Sequence, residues 1–305
     1  MLRFILTKLV MAAAVALTVS IVSFGLVYMS GDPAIALAGE TASDAEVQLI
    51  REQYGFDRPI PVQYLDWLVN AVQGDFGVSH YYNMPVSTMI LDRLDTTVRL
   101  GLCAITFALV ISLPMGVLAA IRPNSFLDRI AIFIAVVGEA IPSFWFGLLL
   151  IVLFSINLGW LPASGSDSWQ SFIMPTIVLG YYATPALMRL TRAGMIDVLS
   201  SDYIRTARAK GLRPRKVLFK HALRNAVIPV VSLAAVQMGF MLGGSIVTET
   251  VFALHGAGFL AWQSISRNDL PTMQALILIF SMFYICFTFL ADVLNAWLDP
   301  RLRSG

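Results

Sequence analysis

Charged residues are scarce in this chain. Only 13% of its 305 residues are Asp, Glu, Lys or Arg, whereas 57% are hydrophobic and the mean hydropathy is +0.75. Ordinary soluble domains carry about 25% charged residues. The scarcity therefore excludes a typical water-soluble domain and indicates a chain whose solvent is largely hydrocarbon.

Cysteine and histidine are also rare. The two cysteines, Cys103 and Cys286, fall in apolar runs, so a disulfide framework is not expected and both are interpreted as small core hydrophobes. The three histidines lie in separate loops without an acidic neighbour at ligand spacing. We therefore expect no metal site and no metal cofactor in this chain.

Catalytic and nucleotide-binding patterns are missing as well. The phosphate-binding pattern G-x-x-x-x-G-K-[ST] does not occur, so any ATP is expected to be bound by another polypeptide. Within the apolar runs there is no H-E-x-x-H pattern and no evident nucleophile with a base, which argues against an intramembrane enzyme. The net charge of only +2 gives no indication of binding to nucleic acid.

Long apolar runs are what the sequence has instead. A helix needs about 20 apolar residues to cross a hydrocarbon core of about 30 Å. Six runs are candidates, the third interrupted by Glu139 and the sixth by Asp292: 9–29, 100–121, 130–156, 172–188, 226–248 and 272–297. They predict an all-α integral membrane protein with six transmembrane helices. The first run resembles a secretory signal, but its length favours a retained helix.

The charges are distributed unevenly between the connecting loops. Ten Lys and Arg residues lie from Arg189 to Arg224, and ten acidic residues lie from Asp32 to Asp95. Because basic loops stay on the cytoplasmic side, this asymmetry predicts that both termini are cytoplasmic and that the segment after the first run is outside.

That outer segment is expected to be helical. Ser43 and Glu46 form a capping-box pattern whose helix stops near Gly55, and a second helix is predicted over 61–74. A third helix starts at Pro85 and carries an apolar stripe suited to the membrane surface, namely Val86, Met89, Ile90 and Leu94. The segment is interpreted as a cap on the outer ends of the spans or as a docking surface for a partner.

The most informative segment is a basic loop between the fourth and fifth runs. Residues 201–229 carry eight of the 21 Lys and Arg residues. Asp202 can start a helix that Gly211 ends, and Pro214 fits the first turn of a second helix. Such a loop either rests on anionic lipid or inserts into a groove of a soluble partner, and the loop alone leaves both open.

Several motifs occur in order along the chain. They are GDP at 31–33, GFDRP at 55–59, GDFG at 74–77, IPSFW at 141–145, GWLP at 159–162, DYIRTARAKG at 202–211 and DPR at 299–301. Over almost its whole length the chain thereby resembles the membrane permease subunit of the bacterial dipeptide and oligopeptide ABC importer family, which includes nickel and glutathione importers.

The resemblance implies a multi-pass protein of the bacterial inner membrane that moves peptides inward and is not itself an enzyme. It implies four kinds of partner: a second homologous permease, two ATP-binding subunits that hold ATP and magnesium, a periplasmic substrate-binding protein, and membrane lipid. It divides the chain into residues 1–30 with the first span, a periplasmic segment at 31–95, and a permease core at 96–305.

In that family the basic loop includes the coupling helix, which sits in a cleft of the ATP-binding subunit. Carried onto this chain, the coupling loop is 197–226 and its contact residues are Tyr203, Arg205, Thr206, Ala207, Arg208, Ala209, Lys210 and Gly211. The common importer pattern E-A-A-x-x-x-G reads R-T-A-x-x-x-G here. Because the glutamate is missing, Arg205 or Arg208 is expected to pair with an acid of the ATPase.

Four residues are predicted to line the translocation pathway, namely Glu139, Gln237, Gly243 and Ser245. Glu139 either faces the conduit and attracts a cationic group or is neutralised against a neighbouring span. Gly239 and Gly243 form a small-residue face, for packing or at the seam with the second permease, where Gln237 and Ser245 can hydrogen-bond.

Two further acidic residues, Glu249 and Asp292, are predicted to have roles outside the pathway. Glu249 ends the fifth span on the outer side and is predicted to contact the binding protein. Asp292 lies near the cytoplasmic end and is predicted to be structural, meeting basic residues there.

The substrate and the energy source have alternatives. Short peptides are the main prediction, with glutathione or a nickel complex as alternatives in the same family. Residues 70–76 and 167–170 somewhat resemble glutathione members. An ion-coupled secondary transporter, with Glu139 and Asp292 carrying protons, is the rival from another class.

Overall fold

A computed structural model describes residues 2–29, 31–39 and 42–298. These residues fold into helices joined by turns, and the one β-type pairing among them is an isolated bridge between Val78 and Pro85. The helices are α1 (Leu2–Met29), α2 (Pro33–Ala38), α3 (Asp44–Gln53), α4 (Ile60–Val72), α5 (Val86–Ile121), α6 (Phe126–Ala140), α7 (Ser143–Leu150), α8 (Ile173–Ser200), α9 (Asp202–Ala209), α10 (Pro214–Lys216), α11 (Arg224–Ala226), α12 (Ile228–Val251), α13 (Ala257–Ser266) and α14 (Leu270–Leu298). The DPR motif at 299–301 lies outside the described residues.

Within the described residues, five helices are long and apolar enough to cross a membrane: α1, α5, α8, α12 and α14. The predicted third span is not one straight helix. It is broken between α6 and α7, which continues as a π-helix over Ile151–Asn157, and the two parts are bent by 102°. The break falls at Ile141 and Pro142 because a proline has no N–H to continue the helical hydrogen bonds. Six spans result only when this bent pair is counted as one.

We call the end of the bundle that carries α9–α11 the inner end, and the end that carries α2–α4 the outer end. The outer segment follows the predicted pattern closely. Ser43 and Glu46 form a complete capping box at the start of α3, and Gly55 lies just beyond its end with a φ of +69°. The predicted helix over 61–74 is α4.

The third predicted helix of the outer segment is different from the expectation. Pro85 caps a continuous helix, α5, that includes the second span, so the assigned boundary between residues 95 and 96 lies inside a helix. The apolar stripe does not lie on the membrane surface. Val86, Met89 and Ile90 are buried against residues of α13 and α14, among them Leu260 and Leu276. The stripe is buried because helices distant in sequence pack on it. The sequence pattern of an apolar stripe is the same whether lipid or protein covers it.

Small residues let the central helices approach closely. At Gly180 of α8, a Cβ atom would lie 2.6 Å from the carbonyl oxygen of Ala104 in α5. At Gly116 of α5, it would lie 2.8 Å from the carbonyl oxygen of Met188 in α8. The α5–α8 pair is therefore closely packed along its length and forms the frame on which the inner loop rests.

The two cysteines are not core residues. Cys103 and Cys286 are free thiols on the exposed surface of the spans, which corrects the sequence interpretation. In a membrane protein an apolar residue of a span is as stable against lipid as in the core, so hydrophobicity does not predict burial.

Candidate coupling loop and translocation groove

The basic loop at the inner end is amphipathic and is seated on the spans by its apolar side. Ile204 and Ala207 of α9 are buried, and so are Val217 and Ala222 of the π-helical segment Val217–Leu223 that follows α10. They pack together with residues of α5 and α8, including Met195. The loop is therefore fixed to the two central spans, and a force on the loop is transmitted to them.

The turn between α9 and α10 has the geometry of a Schellman motif. Gly211 has a φ of +73°, its N–H donates to the carbonyl oxygen of Arg208 at 2.9 Å, and the N–H of Leu212 donates to that of Ala207 at 3.3 Å. Leu212 also packs on the buried cluster beneath the loop. The predicted helix stop at Gly211 is confirmed, because this turn needs a left-handed residue that glycine adopts without strain.

A side-chain hydrogen bond joins the two halves of the loop. The amide of Asn225 donates to the hydroxyl oxygen of Tyr203 at 2.8 Å and to the backbone carbonyl oxygen of His221 at 3.3 Å. The sequence gives no local signal for the role of Asn225, because its partner Tyr203 is 22 residues away. The bond makes the two helices one stiff unit.

The predicted contact residues do not all face outward. Arg205 pairs with Asp202 of the same helix, and Ala207 is buried in the cluster beneath the loop. All of the predicted contact residues except Ala207 are exposed: Tyr203, Arg205, Thr206, Arg208, Ala209, Lys210 and Gly211. Of the loop's eight basic side chains, Arg205 alone forms an ion pair with a residue that the structure describes. Seven cations without an acidic partner in the described part of the chain are thus available to a neighbouring protein.

An ion pair that sequence analysis missed lies directly above the loop. Asp128 at the start of α6 accepts two bonds from Arg192 of α8, from Nε at 2.6 Å and from a terminal nitrogen at 2.8 Å. It also accepts from the backbone N–H of Asn124 at 2.8 Å, and its side chain is 2% exposed. A buried bidentate pair holds a fixed geometry, so it ties α6 to the helix that leads into the loop.

Glu139 also forms an ion pair between α6 and α8. Its carboxylate lies 2.5 Å from a terminal nitrogen of Arg189, and both side chains are about half exposed. The alternative in which the acid is neutralised against a neighbouring span is therefore the observed one. A carboxylate already paired with an arginine is a weak attractor for a second cation.

Of the predicted pathway residues, Gln237 lines an open groove that also carries stacking aromatic rings. The groove has a volume of about 220 Å³ and lies between α7, α8 and α12. Ser143 and Thr248 line it, and Tyr182 and Phe240 stack there with ring centroids 6.2 Å apart. Because both rings are about half exposed, the groove offers stacking surfaces beside hydrogen-bonding groups.

The glycine face of α12 packs within this chain. A Cβ atom on Gly239 would lie 3.1 Å from the Cα atom of Tyr284 in α14. Gly243 faces a separate groove between α1, α12 and α14. The packing interpretation of this face is therefore the observed one for Gly239, and Gly243 does not share the groove of Gln237.

Ser245 and Glu249 are buried together, which contradicts their predicted roles. Neither side chain has exposed surface, and the Ser245 hydroxyl donates to Glu249 at 2.8 Å. Glu249 also accepts from the Thr97 hydroxyl and from the backbone N–H of Phe259, each at 2.8 Å. In this structure Ser245 does not face a seam and Glu249 does not face a binding protein.

Glu249 instead caps the amino end of α13 from another helix. A cap accepts the backbone N–H groups that a helix start leaves unpaired, and a negative charge is favoured there. Gly256 and Gly258 lie against its carboxyl group, where a side chain does not fit. The glycines that follow span five are therefore explained by close approach to a buried acid.

Asp292 has the structural role that was predicted for it. Its carboxylate lies 2.9 Å from Nζ of Lys8, and both side chains are one third exposed. The pair joins the inner ends of α14 and α1.

The fold is that of an ABC transporter permease. Two solved structures resemble it: the MetNI methionine ABC transporter in inward-facing conformations, with a TM-score of 0.57 and 20% identity, and an amino acid ABC transporter crystallised with histidines, with a TM-score of 0.54 and 17% identity. Each match covers 69% of this chain and 96% or 94% of the other.

The chain belongs to the family described as binding-protein-dependent transport system inner membrane component, whose model matches residues 112–304. The amino-terminal model of the same systems matches residues 1–101. The glutathione transport system permease protein GsiC of Escherichia coli strain K12, and that of Shigella dysenteriae serotype 1, are each 42% identical to it over 304 residues, which is 99% of both chains. The protein is thus a multi-pass inner membrane permease subunit of an ABC importer and not itself an enzyme.

Proposed function

We propose that this permease imports short peptides, with glutathione as the first substrate to test. The resemblance to the dipeptide and oligopeptide importer family supports short peptides as substrates. The 42% identity to glutathione transport system permeases supports glutathione. The groove beside Gln237 fits the proposal, because a flexible polar solute needs both hydrogen-bonding and stacking groups along its path.

The importer assembled around this chain contains a second homologous permease, two ATP-binding subunits and a periplasmic binding protein. ATP and magnesium are held by the ATP-binding subunits. Both termini are cytoplasmic, so the basic inner loop meets the ATPase and the outer segment meets the periplasm.

We infer that the inner loop couples ATP hydrolysis to transport, and the supporting observation is that its two sides differ in polarity. Its apolar side is buried on α5 and α8, while seven basic side chains without an acidic partner among the described residues face away from the spans. A surface of this kind fits an acidic cleft of a soluble protein. ATP-driven closure of the ATP-binding subunits then moves the loop and tilts the spans to which it is seated.

A transport assay with a matched pair of charge reversals tests this proposal. We expect Arg208→Glu with Arg215→Glu to reduce both copurification of the ATP-binding subunits and ATP-dependent uptake of radiolabelled glutathione, because two exposed cations become anions at the coupling surface. The control is Arg129→Glu, an exposed arginine in the first turn of α6 and outside the basic loop.

The outcomes separate coupling from substrate. Unchanged copurification with the double reversal contradicts the coupling surface. Intact ATP-dependent uptake of dipeptides with no uptake of glutathione by the native importer contradicts glutathione while keeping the importer. Uptake that follows a proton gradient and ignores ATP favours the ion-coupled rival.

A further inference from the structure

Helix α4 at the outer end exposes an apolar flank. Of its 13 residues, only Gln63 is fully buried. Four apolar side chains are exposed by between 42% and 81%, and they recur at spacings of three and four residues: Val62, Leu65, Val69 and Val72. Residues at this spacing share one side of a helix, so the exposed apolar surface is a continuous stripe.

The polar residues of α4 lie on a different flank. Asp66 and Asn70, together with Gln73 at the C-cap of α4, are exposed and recur at the same helical spacing, beside the apolar stripe. Asp66 and Asn70 line a cavity of about 630 Å³ at the outer end, and Asp66 pairs there with Arg58 at 2.7 Å. The exposed half of the helix is thus divided lengthwise into an apolar flank and a polar flank.

The contacts of the buried side set the depth of α4. The Tyr64 hydroxyl lies 2.8 Å from the Ser20 hydroxyl of α1, and the ring of Phe24 lies 5.5 Å from Tyr64 and 5.8 Å from Trp67 between centroids. Ser20 precedes the outer end of α1 at Met29 by nine residues. The helix therefore packs alongside the membrane-spanning part of α1 and not on top of it.

The depth of α4 in the membrane follows from the position of Ser20 along α1. The apolar helix Arg3–Met29 has 27 residues and is about 40 Å long at 1.5 Å per residue. A centred, upright helix of that length extends about 5 Å beyond each side of a 30 Å hydrocarbon core. Ser20 lies about 13 Å from the outer end of α1, which is about 8 Å inside the hydrocarbon. Interfacial helices insert to about 5–10 Å.

We propose that α4 is an interfacial helix embedded in the leaflet at the outer end, with its apolar flank in contact with lipid acyl chains. The stripe continues the lipid-exposed surface of α1, where Ile21 and Leu26 are exposed by 52% and 45%. Tyr64 and Trp67 pack on Phe24 of α1 from the opposite side of α4 and fix the helix beside the span. The polar flank faces the cavity and water. This inference does not depend on the substrate.

Spin labels on the assembled importer in lipid nanodiscs test the proposal. Single cysteines are introduced at Leu65, Val69 and Val72 for the apolar flank and at Asn70 and Gln73 for the polar flank, after Cys103→Ser and Cys286→Ser. Collisions with molecular oxygen report lipid, and collisions with a water-soluble nickel complex report water. A label at Ile21 is the lipid reference, and a label at Glu52 of α3 is the aqueous reference.

We expect the labels of the apolar flank to match Ile21, with a ratio of oxygen to nickel collisions several-fold higher than on the polar flank. Nickel collisions equal to those at Glu52 on both flanks would overturn the proposal, because α4 would then lie in water. Low accessibility to both reagents on the apolar flank would overturn it too, because a protein partner would cover the stripe. Three labelled positions keep the test valid when one label prevents assembly.

Discussion

The inner loop and the outer segment are both amphipathic helical additions to the same bundle, and they differ in what they leave exposed. The inner loop buries its apolar residues on α5 and α8 and exposes seven cations that no described acid neutralises. The outer helix α4 buries aromatic and amide groups against α1 and exposes an apolar stripe. Charge at an exposed surface suits a soluble protein, whereas an exposed apolar stripe beside a span suits lipid.

The two regions also differ in how they are held. The inner loop is seated on α5 and α8 by its buried apolar side chains, and the Gly211 turn and the Asn225 hydrogen bond stiffen it. The ion pair of Asp128 and Arg192 ties α6 to α8, so this end is suited to transmitting force. The outer segment is held by aromatic packing against α1, and the outer ends of α12 and α13 are joined by the buried carboxyl group of Glu249, which suits a fixed support. Variants of the loop itself are therefore expected to change coupling, whereas variants of the Asp128–Arg192 ion pair and of the outer end are expected to change stability.

The largest effect is expected at the turn of the inner loop. Gly211→Pro removes an N–H that is bonded to Arg208 and imposes a negative φ where the turn needs +73°, so we expect loss of ATP-dependent uptake and of copurified ATP-binding subunits. Gly211→Asn is the matched control, because asparagine tolerates the left-handed region. Uptake by Gly211→Pro as fast as that by Gly211→Asn and the native chain would show that the turn does not set coupling.

The second effect is expected at the ion pair above the loop. Asp128→Asn leaves Arg192, which is 27% exposed, without its counter-charge, so we expect a loss of about 3 kcal/mol of stability. Asp95→Asn is the control, because its pair with Arg99 is mostly exposed and such pairs contribute about 0.3–0.5 kcal/mol. Thermal unfolding in detergent compares the two variants. Equal shifts of the unfolding midpoint would mean that the buried pair contributes no more stability than the exposed one.

A third effect is expected at the outer end, in stability and not in coupling. A Cβ atom on Gly256 would lie 2.6 Å from the Thr97 hydroxyl and still closer to Glu249, so Gly256→Ala should destabilise by about 1–3 kcal/mol. Gly243→Ala is the control, because nothing lies within 4 Å of its added methyl group. Loss of ATPase copurification with Gly256→Ala at normal stability would erase the contrast between the two ends.

The smallest effect is expected from His80 beside the outer cavity. Burial lowers the pKa of its imidazole, and the carboxylate of Asp269 opposes this shift only partly. Because the folded state favours the neutral form, the contribution of His80 is complete above pH 6.5, the unfolded value, and decreases as the pH falls below it. His80→Gln should therefore flatten the decrease of the unfolding midpoint between pH 7.5 and 5.5. A steeper decrease in the variant would reverse the assigned sign.

Local features were predictable because their physics is local. The capping box of Ser43 and Glu46 and the helix stop at Gly211 each depend on backbone groups within a few residues. The break near Pro142 was not predicted, although its cause is local too. The long apolar runs likewise predicted membrane helices, because hydrocarbon leaves few alternatives for the backbone.

Site residues were predicted less well where the partner is distant in sequence. Glu249 is bonded to Thr97 and Phe259, and Asp128 is bonded to Arg192, at separations of 152, 10 and 64 residues. The stripe at Val86, Met89 and Ile90 was assigned to the membrane surface and is buried in protein. In each case the periodicity identified a face without identifying what covers it.

The amino-acid sequence alone was sufficient to establish a helical membrane protein, a basic inner loop of two helices, and membership of an importer family, because composition, helix signals and ordered motifs survive without knowledge of packing. The three-dimensional arrangement was needed to assign the buried acids, to join α5 across an expected boundary and to place α4 beside α1. These depend on which apolar faces meet, and hydrocarbon and protein interior favour the same side chains.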